Sequence, residues 1–137
     1  MTAAILLAGG QGTRLQSVWR GRPKALAPVA GRLFIDHLIA QLARSGVFTK
    51  IVVAAGYKAG ALIAHCAAVA DVLPIVVSAE PSPLGTGGAL LHALANTEGE
   101  TVVVLNGDSF VDIDVAALLA DHDGTATMVA VRAPERG

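Results

Sequence analysis

Three glycines and an arginine directly follow an apolar run near the amino terminus, in LLAGGQGTRL (residues 6–15). Gly9, Gly10 and Gly12 would let backbone N–H groups approach an anion with no Cβ in the way. Arg14 adds a permanent charge whose planar fork matches phosphate oxygens. The stretch therefore predicts a loop that binds a phosphate chain. The alternative is a plain tight turn between a strand and a helix.

Two familiar phosphate-binding loops do not fit this stretch. The P-loop pattern fails because no Lys-Ser or Lys-Thr pair follows the glycines. The dinucleotide pattern G-x-G-x-x-G fails because Leu15 stands where its third glycine should be. A dinucleotide binder would also need an acid after the second strand to hold a ribose, and that strand runs into AGYK (residues 55–58).

A lysine that could contact phosphate lies ten residues beyond Arg14, in RPKALAPVAG (residues 22–31). Pro23 restricts the backbone, so Lys24 is expected to project from a constrained loop. A Pro-Lys pair by itself is more often an ordinary surface feature.

Two further stretches could contribute to a ligand site. EPSPLGTGGAL (residues 80–90) places glycines at the start of a predicted helix, although glycine disfavours helices. A flat ligand lying against the backbone would explain them, and so would a flexible turn. In LNGDSF (residues 105–110), Asp108 follows an apolar strand, where a carboxylate must be paired or bind a cation. Mg²⁺ takes one or two carboxylates plus phosphate oxygens and water, whereas a turn or cap role would need no metal.

Short strands and helices must position these residues. Strands are predicted at 3–9, 50–56, 74–80, 101–108 and 125–133, and helices at 33–46, 58–70, 86–97 and 115–124. This alternation predicts an α/β fold with three layers, in which helices cover both faces of a mainly parallel sheet. The 101–108 strand is the most hydrophobic and is expected to be the most buried. Ligands bind beyond the carboxyl ends of such strands, where residues 9–14, 80–88 and 106–109 lie.

Finer features of these elements also follow from the sequence. Gly46 is expected to end its helix and Asp114 to cap the amino terminus of the last one. Asp112 is expected to be solvated or capping rather than a metal ligand. His65 and Cys66 are expected to be partly buried residues without a chemical role.

Composition narrows the class of protein. The 137 residues suit one domain, with a net charge of −1 and 4% aromatic residues. Neither value favours a nucleic-acid partner. The single cysteine excludes an internal disulfide and is compatible with a reducing compartment. The sequence suggests no signal peptide or membrane span, so we expect a cytoplasmic protein without a membrane partner. The four histidines show no metal-binding spacing, and no Ser-His-Asp set is evident.

The glycine loop and the later Pro-Lys together resemble the signature of the sugar-1-phosphate nucleotidyltransferases. These enzymes carry a Gly-Gly-x-Gly-Thr-Arg loop followed by Pro-Lys. The related molybdopterin-type guanylyltransferases place the lysine much closer to the arginine, which counts against that branch. The resemblance implies a Rossmann-like nucleotidyltransferase fold, with residues 1–137 as the nucleotide-binding, amino-terminal part of the domain. The sugar-binding part and a second metal-binding aspartate would then lie outside this chain, which alone is expected to bind nucleotide but turn over poorly.

The resemblance also implies roles for individual residues. Arg14, Lys24 and Asp108 would be catalytic, and Asp108 would bind the Mg²⁺ cofactor. A carboxylate at Glu80 could accept hydrogen bonds from N1–H and N2–H of guanine. The residues implied in nucleotide binding are Leu7, Ala8, Gly9, Gly10, Gln11, Gly12, Thr13, Glu80, Pro83, Leu84, Gly85 and Gly88.

The implied reaction transfers a nucleoside monophosphate from an NTP to a sugar 1-phosphate and releases pyrophosphate. LGTGGA, LNGDSFVDID and RLQSV look most like the branch that converts GTP and D-glycero-α-D-manno-heptose 1-phosphate to GDP-heptose for surface polysaccharide. Alternatives are uridylyl or thymidylyl transfer to another sugar 1-phosphate, or a non-catalytic nucleotide-sensing subunit. Assembly into a homo-oligomer stays open.

Overall fold

A four-stranded parallel sheet forms the centre of the protein. The computed structural model describes residues 2–10, 21–56 and 59–134. The strands of the sheet are β1 (Thr2–Leu7), β4 (Phe48–Ala55), β5 (Ile75–Ala79) and β6 (Val102–Asn106). They lie in the order β5-β4-β1-β6, and each neighbouring pair is parallel. In the two inner strands, residues 3–6 and 51–55 are continuous buried apolar runs, as expected where both faces of a strand are covered.

Helices cover both faces of this sheet, so the predicted three-layer α/β fold is confirmed. The helices are α1 (Phe34–Ser45), α2 (Ala59–Val69), α3 (Gly85–Leu94) and α4 (Val115–Ala120). Helices α1, α2 and α4 pack on one face, where the buried core includes Leu6, Val53, Leu38, Leu62 and Val115. Of the described helices, α3 packs on the other face, against Ile5, Val52 and Ala54.

Local signals in the sequence correctly located several element ends. Ile35, Leu38, Ile39 and Leu42 repeat at helical spacing and are buried in α1. Gly46 ends that helix in the left-handed conformation, with φ of 69°. The Asp114 carboxylate accepts a hydrogen bond of 3.1 Å from the Ala117 N–H, so the predicted cap is confirmed.

A 3₁₀ turn and a small hairpin between the first strand and first helix were not predicted. The turn spans Lys24–Leu26, and the hairpin pairs β2 (Pro28–Val29) with β3 (Arg32–Leu33). Ala30 and Gly31 connect the two strands with φ of 51° and 79°. Such a turn needs positive φ at both central residues. Asn, Asp or Gly usually occupies the position of Ala30 in such a turn, so the hairpin could not be predicted from the sequence.

Two predictions about the carboxyl-terminal third were wrong. The strand predicted at 125–133 does not form: these residues are exposed and belong to no helix or strand. The strand predicted at 101–108 forms as β6, but it is not the most buried. It lies at the edge of the sheet, where Val104 is 41% exposed. Hydrophobicity identifies a strand but does not tell whether a neighbour covers its outer side.

Helices α1 and α2 are joined by a hydrogen bond between His65 and Asp36 beside the single cysteine. His65 Nε2 lies 2.6 Å from Asp36 Oδ1, and the next residue, Cys66, is fully buried. His65 is partly buried as expected, whereas Cys66 is more deeply buried than expected. None of the helices in the described part of the chain combines the length and apolar composition that a membrane crossing requires.

Burial and the nearby charge of Asp36 raise the pKa of the Cys66 thiol to about 11. At pH 8 only about one thiol in a thousand would then be the reactive thiolate. We expect Ellman's reagent to modify Cys66 far more slowly in the folded protein than in urea. Equal rates in both conditions would contradict this burial.

Candidate functional site

A cavity of about 580 Å³ opens at the carboxyl ends of the parallel strands. Nine of the residues implied by the resemblance line it: Leu7, Ala8, Gly9, Gly10, Lys24, Glu80, Pro83, Gly85 and Asp108. Leu84 and Gly88 do not line it. They lie against each other, since a Cβ added to Gly88 would stand 2.7 Å from Leu84 Cβ. Gln11, Gly12, Thr13 and Arg14 lie outside the described residues.

The sequence analysis missed several lining residues, notably Gly56, Thr86, Asn106 and Gly107. Asn106 and Gly107 adjoin Asp108, so strand-end position was a usable signal for them. Gly56 also ends a strand, but a single glycine there carries no pattern of its own.

Backbone hydrogen bonds continue the sheet into the loops that form the cavity. The Ala8 N–H donates to Ala54 O and the Glu80 N–H to Ala55 O, both at 2.8 Å. The Gly107 N–H donates to Leu7 O at 2.8 Å. The loops that follow β1, β5 and β6 are therefore held at fixed positions relative to one another.

Gly107 brings the loop after β6 unusually close to that after β1. A Cβ at position 107 would lie 2.7 Å from Leu7 O and 3.2 Å from both Ala8 Cα and Ala8 Cβ. Only glycine fits this contact without a backbone shift. The contact sets the position of the following residue, Asp108.

Lys24 and Asp108 meet across the cavity although 84 residues separate them in the sequence. Lys24 Nζ lies 3.2 Å from Asp108 Oδ2. Both side chains are about half exposed, so the pair contributes less than about 1 kcal/mol to folding. The pairing therefore shows how two distant loops are placed relative to each other, and it adds little to the stability of the fold.

Opposing effects act on the Asp108 carboxyl. Partial burial acts to raise its pKa, but hydrogen bonds from Lys24 and Ser109 and the charge of Lys24 outweigh burial and lower the pKa below 3.8. Asp108 is therefore ionised at neutral pH. Because the folded-state pKa is the lower one, the associated stability is present above the unfolded value and is lost as pH falls through the folded value.

Replacing Lys24 by Met is expected to raise the pKa of the Asp108 carboxyl toward 3.8, because it removes the hydrogen bond and the charge. An NMR pH titration of the Asp108 side chain measures the midpoint. Lys50→Met is the matched control, since Lys50 Nζ instead donates to Asn96 O, at 3.0 Å. An unchanged midpoint in the Lys24 variant would show that the pair does not form in solution.

Glu80 contributes the other carboxylate of the cavity. Its side chain lies near the backbone of Gly9 and Gly56, and its Oε2 accepts a weak hydrogen bond of 3.4 Å from the Leu84 N–H. A carboxylate offers about four acceptor positions, and the described residues take up one of them with this weak contact.

The chemistry of Asp108 fits a divalent cation held together with a substrate. The described residues contain no group of three or more His, Cys, Asp or Glu able to hold a metal by themselves. A half-exposed carboxylate at the cavity is nevertheless the type of ligand that Mg²⁺ takes alongside phosphate oxygens and water. Lys24 occupies Oδ2 of this carboxylate and would have to move before a cation bound there.

Comparison with known proteins identifies the family of this chain. The sequence matches the MobA-like NTP transferase domain over residues 4–137. The chain belongs to this family of nucleotidyltransferases. A D-glycero-alpha-D-manno-heptose 1-phosphate guanylyltransferase of Campylobacter jejuni is 36% identical over 115 residues, which are 84% of this chain and 51% of the relative. An N-acetylmuramate alpha-1-phosphate uridylyltransferase of Caulobacter vibrioides is 38% identical over 139 residues, covering 97% of this chain and 54% of the relative.

Solved structures of NTP transferases agree with the fold. HddC from Yersinia pseudotuberculosis, crystallised with GMP-PN, superimposes with a TM-score of 0.78 at 31% identity. The alignment covers 88% of this chain and 53% of HddC. This chain therefore spans about half the length of these three proteins. The family is generally dependent on a divalent metal.

Proposed function

We propose that this chain provides the nucleotide-binding part of an enzyme that transfers a nucleoside monophosphate from an NTP to a sugar 1-phosphate. The preferred substrates are GTP and a heptose 1-phosphate, and the products are GDP-heptose and pyrophosphate. The heptose guanylyltransferase of Campylobacter jejuni and the GMP-PN complex of HddC support this choice of sugar and base. The sugar-binding part of the domain would lie outside residues 1–137.

One observation carries the proposal. Lys24 and Asp108 pair at 3.2 Å in a cavity that is also lined by Gly9 and Gly10. A cation, a potential metal ligand and the backbone N–H groups of a glycine loop are what transfer of a charged phosphoryl group needs. Such transfer depends on positioning and charge neutralisation more than on covalent catalysis.

In this reaction an oxygen of the sugar phosphate attacks the α-phosphorus of the NTP, and pyrophosphate leaves in line. The bond from the α-phosphorus to the bridging oxygen breaks as the new phosphorus–oxygen bond forms, so no covalent enzyme intermediate is needed. Arg14 and the amides of the glycine loop would bind the leaving pyrophosphate. Lys24 would contact the α-phosphate and the incoming sugar phosphate. Asp108 would hold Mg²⁺, which supplies positive charge to the phosphate oxygens when bound.

The base would bind between the loop after β5 and the start of α3. Glu80 is the residue that we assign to base selection, because its carboxylate can accept from both N1–H and N2–H of guanine. Adenine offers an acceptor at N1 and no amino group at C2, so it would face the carboxylate unfavourably. The opposed acceptors explain a preference for GTP over ATP.

A second candidate is uridylyl transfer to another sugar 1-phosphate, which the 38% identity to the Caulobacter vibrioides enzyme favours. A nucleotide-sensing subunit without activity is a weaker alternative, because Arg14, Lys24 and Asp108 are all present in the sequence. We further propose a cytoplasmic location and a role in surface polysaccharide precursors. The absence of a possible internal disulfide is compatible with a reducing compartment.

Pyrophosphate release from the full-length gene product in Mg²⁺ tests the proposal. GTP, UTP, dTTP, CTP and ATP are each combined with heptose 1-phosphate, glucose 1-phosphate and N-acetylmuramate 1-phosphate. Release confined to GTP with heptose 1-phosphate is the expected result, and release with UTP would favour the second candidate. Nucleotide binding without release in any combination would favour the sensing subunit.

A further inference from the structure

Gly56 directly follows β4 and lies beside the Glu80 carboxylate. Its backbone φ does not by itself require glycine. Gly56 is not among the described glycines with positive φ, so its conformation suits other residues. The space around it is the constraint. A Cβ at position 56 would lie 3.0 Å from Glu80 Oε2, 3.5 Å from Glu80 Cδ and 3.3 Å from Gly9 O.

The Glu80 side chain fills the space that Gly56 leaves open. One carboxylate oxygen faces Gly56, and the other would be 3.4 Å from a Cβ on Gly9. The only hydrogen bond of the carboxylate to the described residues is the 3.4 Å contact with the Leu84 N–H. So weak a contact does not fix the carboxylate, and the two glycines define where it can rest.

The backbone around Gly56 is held more firmly than this side chain. Hydrogen bonds of 2.8 Å from Ala8 to Ala54 and from Glu80 to Ala55 tie the end of β4 to both neighbouring loops. A methyl group at position 56 would therefore displace the flexible end of Glu80 before it displaced the strand. The fold is expected to survive the change.

We propose that Gly56 is a positioning residue for base selection: its missing side chain leaves the place in which the Glu80 carboxylate meets the edge of the nucleobase. The inference rests on the proposed function, because it assigns that carboxylate to guanine. The inference adds a residue at the end of β4 to the site. No residue there had been assigned to base selection. Gly56 acts through Glu80 and need not contact the nucleotide.

Nucleotide binding by the Gly56→Ala chain tests this inference. Dissociation constants for GTP and ATP are measured by calorimetry, and their ratio reports base selection. A lost hydrogen bond to a charged group corresponds to about a tenfold change or more, so we expect the GTP preference to fall about tenfold. ATP affinity is expected to stay constant or to rise, because the displaced carboxylate no longer opposes the adenine N1 acceptor, whereas general damage to the site would weaken the binding of both nucleotides. Gly60→Ala is the control, because a Cβ there meets nothing within 4 Å.

A double-mutant cycle with Glu80→Ala separates the two residues. If Gly56 acts through Glu80, adding Gly56→Ala to Glu80→Ala should change the ratio no further. If Glu80→Ala changes the ratio of the GTP and ATP dissociation constants and Gly56→Ala does not, the inference is wrong and the proposed function is unaffected. If Glu80→Ala leaves this ratio unchanged, both the inference and the assignment of Glu80 to the base are wrong. Failure of nucleotidyl transfer itself would appear in the pyrophosphate assay, not in this ratio.

Discussion

Replacing Asp108 by Asn is expected to lower the rate of Mg²⁺-dependent pyrophosphate release about 100-fold. The amide keeps the shape of the side chain but removes the negative charge that would hold the cation. It also removes the charge of the ion pair with Lys24, whose Nζ lies 3.2 Å from Asp108 Oδ2. Initial rates of release by the full-length gene product, with GTP and heptose 1-phosphate at several Mg²⁺ concentrations, measure the effect.

Asp112→Asn is the matched control for this prediction. Asp112 is exposed in the same loop but does not line the cavity, so its replacement should leave the rate unchanged. Binding of Mn²⁺ in the presence of GTP, followed by electron paramagnetic resonance, reports on the cation independently of turnover. Undiminished Mn²⁺ binding in the Asp108 variant would contradict the metal assignment even if activity fell.

Replacing Gly107 by Ala is expected to damage both the fold and the site. The new Cβ would lie 2.7 Å from Leu7 O, a backbone atom that cannot move without disturbing β1. Overpacking of this kind costs about 1–3 kcal/mol of the free energy of unfolding. The loop must shift to relieve it, and a displacement of about 1 Å at a catalytic group can lower activity about 100-fold.

Urea denaturation and pyrophosphate release measure the two effects of Gly107→Ala separately. Gly60→Ala again serves as control, because its Cβ would enter open space within α2 and should leave stability equal or slightly higher. A Gly107 variant with normal stability and normal activity would show that the loop after β6 does not approach Leu7 O and Ala8 this closely.

The sequence predicted those features of the fold that depend on a residue and its near neighbours in the chain. Gly46 and Asp114 act through their own backbone or the next turn, so they located helix ends correctly. The hairpin around Ala30 and Gly31 was missed because its turn lacks the usual residues. The 125–133 segment was predicted wrongly because its apolar residues have the spacing of a strand but no described strand pairs with them. Strand pairing is a long-range property that periodicity does not contain.

In the candidate site, too, features with a local signal were predicted and features that depend on long-range contacts were not. The loops after β1, β5 and β6 were found because their residue types are unusual at strand ends, and the sheet brings them into one cavity. The contact between Lys24 and Asp108 was not predicted as a pair, because it depends on how two distant loops meet. Gly56 was missed for a similar reason, since its importance comes from a neighbour in space. Arg14 lies outside the described residues, so its role stays a prediction from its chemistry and from the resemblance.

The position of β6 at the edge of the sheet has a consequence for the behaviour of the chain in concentrated solution. Its residues and Thr101 form the hexapeptide TVVVLN, which contains no charge and no proline and favours extended structure. On an edge, such a segment presents unpaired N–H and C=O groups to any other extended chain. Two copies can therefore join through their backbones without side-chain recognition. Charge introduced at Val104, which is 41% exposed, would favour colloidal stability at little cost to the core.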